Sequence, residues 1–242
     1  MLTHYKEFRD ALATYHMSDR AKQALDGLHL VLLVAPSATG RNTVIHHLVE
    51  KYNYYFVVSD TTREPQVRDG KKEEHGLNYF FRSEEDMLSD LRAGEFLEAA
   101  LIHQQQVSGI SIRELEKAKS MNRVAVTDIE EVGADNVMKV SDHSKAIFLL
   151  PPSFEEWHRR IMRRGHISPH EFKNRLNSTV KELEAARSHR YYHFVITEHV
   201  EQSAGIIDAI AHDGINPHQG RGEHLIQELE HSFKQKIESS IF

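Results

Sequence analysis

The sequence predicts an α/β fold, a doubly wound and mainly parallel sheet built around a phosphate-binding loop. Short apolar runs alternate with amphipathic stretches along most of the chain, the pattern of a parallel sheet covered by helices on both faces. The run Leu28–Ala35 passes directly into A-P-S-A-T-G-R-N-T, Ala35 to Thr43, and then into a helical segment. A further apolar strand, Arg123–Asp128, ends in an acid.

Residues 4–25 read as one amphipathic helix, with Tyr5, Phe8, Leu12 and Tyr15 at helical spacing. Leu28–Ala35 reads as a buried strand, 41–51 as a helix and Tyr54–Ser59 as a second strand. Residues 61–78 are polar and charged, which predicts an exposed excursion before a short strand, Tyr79–Phe81. Ser83 followed by Glu84, Glu85 and Asp86 is a helix start of the capping type. Ala146–Leu150 is a strand closed by Pro151 and Pro152. Helices follow over 153–163 and 168–188, then a last strand, His193–Thr197, and a core helix over 201–211. GINPHQGRGE, 214–223, reads as a linker. The tail beyond it sets Leu225, Leu229, Phe233 and Ile237 on one helical face. The expected divisions are an N-terminal helical extension (1–27), a main domain (28–212), and a linker with a C-terminal helix (213–242). The terminal stripes either pack on the chain's own core or form a homodimer contact.

The 242 residues suffice for one sizeable core, and the composition is that of a globular protein, 40% apolar and 27% charged. A net charge of -6 argues against a general nucleic-acid or anionic-membrane surface. No apolar run reaches membrane-spanning length, and the first residues lack the apolar core of a signal peptide. There is no cysteine, which excludes disulfides and thiolate metal sites and fits a reducing cytoplasm. The 18 histidines are scattered; His166 and His170 are four apart with Pro169 between them, and solvated surface histidines are the ordinary reading.

A phosphate loop needs backbone N–H groups curled round an anion, a lysine for the outer phosphates, and a hydroxyl for Mg²⁺. In the segment Ala35, Pro36, Ser37, Ala38, Thr39, Gly40, Arg41, Asn42, Thr43, only Gly40 stands among the expected glycines. Ala35 and Ala38 fill the others, Arg41 takes the lysine position and Asn42 the hydroxyl position, with Thr43 one residue late. An alanine forced to positive φ costs roughly 1 kcal/mol, tolerable for folding but able to disturb the loop.

Downstream come SDTTREP (59–65), GLNYFF (76–81), GEFLE (94–98), TDIE (127–130), LLPPS (149–153) and RRIMRRG (159–165). In this order and spacing, over about residues 29–211, the chain resembles the guanylate kinase family. The resemblance implies a P-loop core with an inserted GMP-binding lobe (about 59–111) and an arginine-rich lid (about 160–176). It implies that Ser59 and Glu98 contact guanine, and that Arg63 and Tyr79 bind the GMP phosphate, as a guanidinium fork and a phenol can. Asp128 and Glu130 match family acids; Asp128 is suited to hold Mg²⁺ through water, with Asn42 or Thr43 beside it. Arg160, Arg164 and Arg175 match the phosphate-clamping arginines, which with Arg41 would offset charge on the transferring group.

The lobe departs from the family pattern. Gln66 replaces a second arginine, for which Arg68 could substitute. The family's Tyr-Gly-Thr/Ser run becomes Ser108, Gly109, Ile110, so Ser108 stands near a missing tyrosine and Ile110 removes a hydroxyl unless Ser111 supplies it. Thr197 stands where the family often has asparagine. The leading expectation is Mg²⁺- and ATP-dependent phosphorylation of GMP to GDP, weakened by the altered loop. Two others stay open: an inactive module binding GMP or phosphorylated peptides, and a kinase for another phosphorylated acceptor.

Overall fold

The computed structural model describes residues 2–68, 70–102, 104–163, 165 and 167–239, with Arg68 described by its backbone alone. In chain order the elements are α1 (Tyr5–Ala13), α2 (Asp19–Leu25), β1 (Leu30–Val34), α3 (Arg41–Lys51), β2 (Tyr55–Phe56), β3 (Asp60–Thr61), β4 (Val67–Arg68), β5 (Lys71–Lys72), β6 (Phe80–Phe81), α4 (Glu84–Arg92), β7 (Phe96–Ile102) and β8 (Gln106–Ser111). Then follow α5 (Ile112–Ser120), β9 (Ala125–Asp128), α6 (Glu131–Met138), β10 (Ser144–Leu150), α7 (Phe154–Arg163), α8 (Pro169–Ser188), β11 (His193–Ile196), α9 (Val200–Asp213) and α10 (Gln219–Ser239). The chain divides into two compact units, one of segments 1–28, 55–125 and 139–143, the other of 29–54, 126–138 and 144–242.

The first unit carries the sheet β6-β3-β8-β7, with β3 parallel to β6 and antiparallel to β8. Phe8 of α1 and Met87, Leu88 and Leu91 of α4 are buried with Phe96 and Val107 of the β7–β8 hairpin. The single helix expected over 4–25 is two helices. Ser18 accepts from the Ala21 N–H at 3.2 Å, capping α2, while its hydroxyl donates to the Gly94 carbonyl at 2.8 Å. Tyr15 leaves the helix to donate to the Phe96 carbonyl at 2.5 Å. Tertiary hydrogen bonds thus break a periodicity that looked continuous. The excursion at 61–78 contains the two-stranded ribbon β4–β5. Asp60, fully buried, is held by Arg82 at 2.7 Å and Arg113 at 2.9 Å.

The second unit holds four sheet strands in the order β11-β10-β1-β9, with β10 parallel to both β1 and β11. Every residue of β1 is buried, as a strand covered on both faces requires. Helix α3 packs with α9, and α6 lies on β1 and β10. The expected linker at 214–223 is shorter than its composition suggested, because α10 begins inside it at Gln219. The buried face of α10 is Gly222, Ile226, Leu229 and Phe233; of the expected stripe, Leu229 and Phe233 are fully buried while Leu225 and Ile237 are half-buried. Both terminal apolar stripes are spent on the chain's own core: α1 within the first unit, and α10 on α7, α8 and β11 within the second.

Gly222 is what lets α10 approach β11, since a Cβ there would lie 2.4 Å from the Phe194 Cβ. Gly222→Ala is therefore expected to cost about 1–3 kcal/mol in urea denaturation through overpacking. Gly220→Ala, whose Cβ would meet nothing within 4 Å, should be neutral or stabilise by up to about 1 kcal/mol.

Candidate active site

The loop after β1 takes the conformation that glycine would supply, with Ala38 at φ 64° and Gly40 at φ 104°. Ala38 is buried and carries the left-handed strain anticipated from its sequence position. Such a residue persists only where its surroundings over-determine it. The carbonyls on either side of it are both held. Ser37 accepts from the Trp157 indole N–H at 2.9 Å. Thr39 accepts from Arg160 at 2.7 Å and from the Thr197 hydroxyl at 2.6 Å. In a trans peptide C=O and N–H point opposite ways. Tethering these two carbonyls turns the N–H groups of Ala38 and Gly40 to the other side of the loop. Among the described residues nothing accepts from either. They join the orphan N–H groups of the first turn of α3, which contains no acidic residue. The result is a preformed anion cradle.

Arg41 opens α3 and meets Asp128, at the end of β9, at 3.0 Å. Glu182 on α8 belongs to the same group. Burial pushes its carboxyl up to about 7, the Glu130 carboxylate adds to the rise, and Arg41 opposes it. Sequence reasoning placed Arg41, Asp128 and Glu130 here and missed Glu182, which no local pattern singles out.

Arg160 is used by the loop itself. Its guanidinium donates to Glu156 at 2.7 Å, to the Thr39 carbonyl at 2.7 Å, and to the Thr197 hydroxyl and carbonyl at 3.0 and 2.7 Å. Arg159 and then Arg160 hold the Glu156 carboxyl at about 2, so it stays ionised near neutrality. Thr197, at the position where the family often has asparagine, is a structural tie of the loop. Arg175 pairs with Glu171 one turn earlier on α8 at 2.6 Å. Arg164 and His166 lie outside the described residues. Asn42 and Thr43 are exposed at the start of α3.

In the first unit, Arg63 and Tyr79 come together, with the guanidinium 4.6 Å from the ring centroid. Both guanidinium arms are already taken by Glu73, at 2.5 and 2.8 Å, in a pair that is nearly buried. This is the fork-to-carboxylate geometry that also suits a phosphate. The Ser59 carbonyl accepts from the Phe80 N–H at 2.9 Å, fixing the segment beside Tyr79. Glu98 on β7 lies opposite Ile110 on β8, and Ser108 opposite Thr61, to whose hydroxyl it donates at 2.9 Å. Gly109 has no room for a side chain, since a Cβ would sit 2.7 Å from the Glu98 carbonyl. Ile110 is fully buried, and the buried Ser111 hydroxyl has no partner among the described residues. Arg68 lies on β4, its side chain outside the described residues.

Among the described residues no group of three or more His, Asp or Glu side chains is arranged to hold a metal ion. The donors beside the loop are carboxylate and hydroxyl oxygens, which suit Mg²⁺, an ion that keeps several waters and takes phosphate oxygens as its other ligands. No described helix is long and apolar enough to cross a membrane.

A parallel sheet whose strand β1 feeds a strained phosphate loop and a helix, with a basic residue at its head facing a strand-end aspartate, defines a P-loop phosphate-binding protein. Residues 28–210 match the family model described as guanylate kinase. Guanylate kinase from Corynebacterium diphtheriae is 39% identical over 183 residues, covering 75% of this chain and 93% of the relative. That from Porphyromonas gingivalis is 33% identical over 157 residues, covering 64% and 81%. The crystal structure of guanylate kinase from Anaplasma phagocytophilum superposes with a TM-score of 0.56 at 27% identity, covering 85% of this chain and 95% of that one. The chain belongs to the guanylate kinase family.

Glu182 gives this site a pH signature in the absence of nucleotide and divalent cation. Its carboxyl is raised from 4.5 in the unfolded reference to about 7 when folded. Within that window the folded protein binds more protons than the unfolded chain, so stability falls as pH rises from about 4.5 to about 7. Comparing thermal denaturation of the native chain and Glu182→Gln across this range should show the native chain losing stability relative to the variant as pH rises.

Proposed function

We propose that this protein transfers the terminal phosphoryl group of ATP to GMP, giving ADP and GDP, at a rate lowered by its altered loop. The observation that carries the reading is the preformed cradle at Ala38–Arg41, with its N–H groups turned out by the held Ser37 and Thr39 carbonyls. The relatives reported above are all named guanylate kinases. That favours phosphotransfer over a peptide-binding module or a different acceptor.

In this reading the loop N–H groups and the first turn of α3 take the ATP phosphates. Arg41 releases part of its hold on Asp128 to reach them, supplying as a fork what a lysine supplies as a point charge. Asp128, with Asn42 or Thr43, would hold Mg²⁺, which would supply positive charge to offset that of the phosphate oxygens. Arg160 acts through the loop it fixes, while Arg164 and Arg175 contribute positive charge to the transferring group. On the acceptor side Glu98 and Ser59 read guanine, and Arg63, Arg68, Tyr79 and Ser108 hold the GMP phosphate, with Glu130 among the acids of the site. A phosphate oxygen of GMP attacks the terminal phosphorus, and its bond to the bridging oxygen of ATP breaks as ADP leaves. No protein nucleophile is needed, because positioning and charge carry such a reaction. The reading includes a cytoplasmic setting, which the cysteine-free composition suits.

Purified protein mixed with ATP, Mg²⁺ and GMP should form GDP. Binding of GMP by calorimetry without GDP above background would sink the enzymatic reading. Arg41→Ala should lower turnover by about 10²–10³-fold, the scale for removing one charge-stabilising group, and leave GMP binding intact. Arg41→Lys combined with Asn42→Ser restores the usual loop chemistry and should raise kcat.

A further inference from the structure

The family match ends at residue 210, so α10 lies wholly beyond it. Phe233 of this helix is nevertheless fully buried. Its ring stands edge-on to Trp157, 4.7 Å between centroids at 70°, and to Phe154, 5.1 Å at 83°. Trp157 is the only tryptophan in the chain and has no exposure. Its indole N–H is the group that holds the Ser37 carbonyl. Three residues further along α7, Arg160 holds the Thr39 carbonyl. On each side of strained Ala38 one tie therefore issues from α7, with Thr197 adding a second on the Thr39 side, and α7 is backed by α10 at the level of Trp157. The helix is itself firmly seated: Gly222 allows close approach to Phe194, and Lys234 bridges Glu184 at 2.7 Å and Glu230 at 2.6 Å.

We propose that α10 is a positioning element for the phosphate loop, with Phe233 fixing Trp157 and Trp157 fixing the Ser37–Ala38 peptide for nucleotide binding. The proposal rests on the reading of this loop as the ATP site. The physical need is local. A loop with glycine at position 38 would settle into the left-handed conformation unaided. With alanine there, the peptide is free to turn back unless its carbonyl is restrained, and turning it back withdraws the Ala38 N–H from the anion. The edge-on packing of Phe233 against Trp157 backs the indole whose N–H is on the loop. Trp157 touches no substrate in this scheme and acts through the backbone it holds.

The test compares the full chain with Trp157→Phe, which keeps an aromatic ring beneath Phe233 while removing the indole N–H together with part of the buried ring volume, and with Phe233→Ala. Affinities for Mg·ATP and, separately, for GMP are measured by calorimetry, with circular dichroism as the check on folding. In the native chain the emission of the sole tryptophan should also shift on adding Mg·ATP. Loss of one neutral hydrogen bond predicts about 5- to 10-fold weaker ATP binding for Trp157→Phe, with GMP affinity unchanged. Phe233→Ala should weaken ATP in the same selective way and abolish the emission shift. ATP affinity within about 2-fold of native for a folded Trp157→Phe, or equal losses for ATP and GMP, would overturn the proposal. If Phe233→Ala does not fold, Trp157→Phe decides alone. If the native chain binds ATP and Trp157→Phe weakens it, but no GDP forms, the phosphotransfer reading falls and the positioning role stands. A native chain that binds no ATP overturns both.

Discussion

The carbonyl oxygen of Thr39 is the point on which the phosphate site hangs. Arg160 from α7 and Thr197 from the end of β11 both donate to it, and Arg160 is steadied in turn by ionised Glu156. Hydrogen bonds from a charged donor are stronger than neutral ones, and here one is aimed at a residue flanking a strained backbone. Without it only the Thr197 hydroxyl would hold the Thr39 carbonyl against relaxation of the left-handed alanine on that side. The sheet, the helix that follows the loop and the helix that carries the arginine are all oriented to make this meeting possible.

The same economy appears at Arg41. Its partner Asp128 is where a strand ends, and a strand end is a fixed place. An arginine left unpaired beside a cradle of N–H groups would raise the local positive charge and draw in any anion. Paired with Asp128, it is held ready and partly neutralised. Burial raises the Glu182 carboxyl to about 7, so near neutrality its negative charge is only partly developed beside Glu130 and Arg41.

Much of this was legible in the sequence, for reasons that differ by element. The strand–loop–helix unit at β1 and α3 was clear because a fully apolar run, a glycine and a new periodicity follow one another without interruption. Ser83 marks a helix start, and the structure shows it accepting from the N–H three residues on, as Ser168 also does at the head of α8. The β7–β8 hairpin went unread because FLEAALI lacks a strict alternation, and its turn uses Gln104 at φ 59° rather than glycine. Helices α5 and α6 were also not anticipated. At the site, Arg41 with Asp128 and Arg63 with Tyr79 were legible as residue types in register. Glu73, Trp157 and Glu182 were not, because their roles come from burial and from partners distant in sequence, in Trp157's case a backbone carbonyl 120 residues away. Thr197 did carry a signal, an altered residue at a patterned position, whose meaning only the geometry supplies.

The pair between Arg63 and Glu73 has a consequence for what the acceptor lobe will admit. A carboxylate tethered ten residues along the chain is present at a high effective concentration, of about millimolar or more for a short connection. Any incoming anion must outcompete it. Chloride or a single carboxylate offers the guanidinium nothing that Glu73 does not already give. A dianionic phosphate with further partners does, and Tyr79 lies against Arg63 as one such partner. In the proposed reading, where Arg63 takes the GMP phosphate, Glu73 is the tethered competitor which that phosphate has to displace.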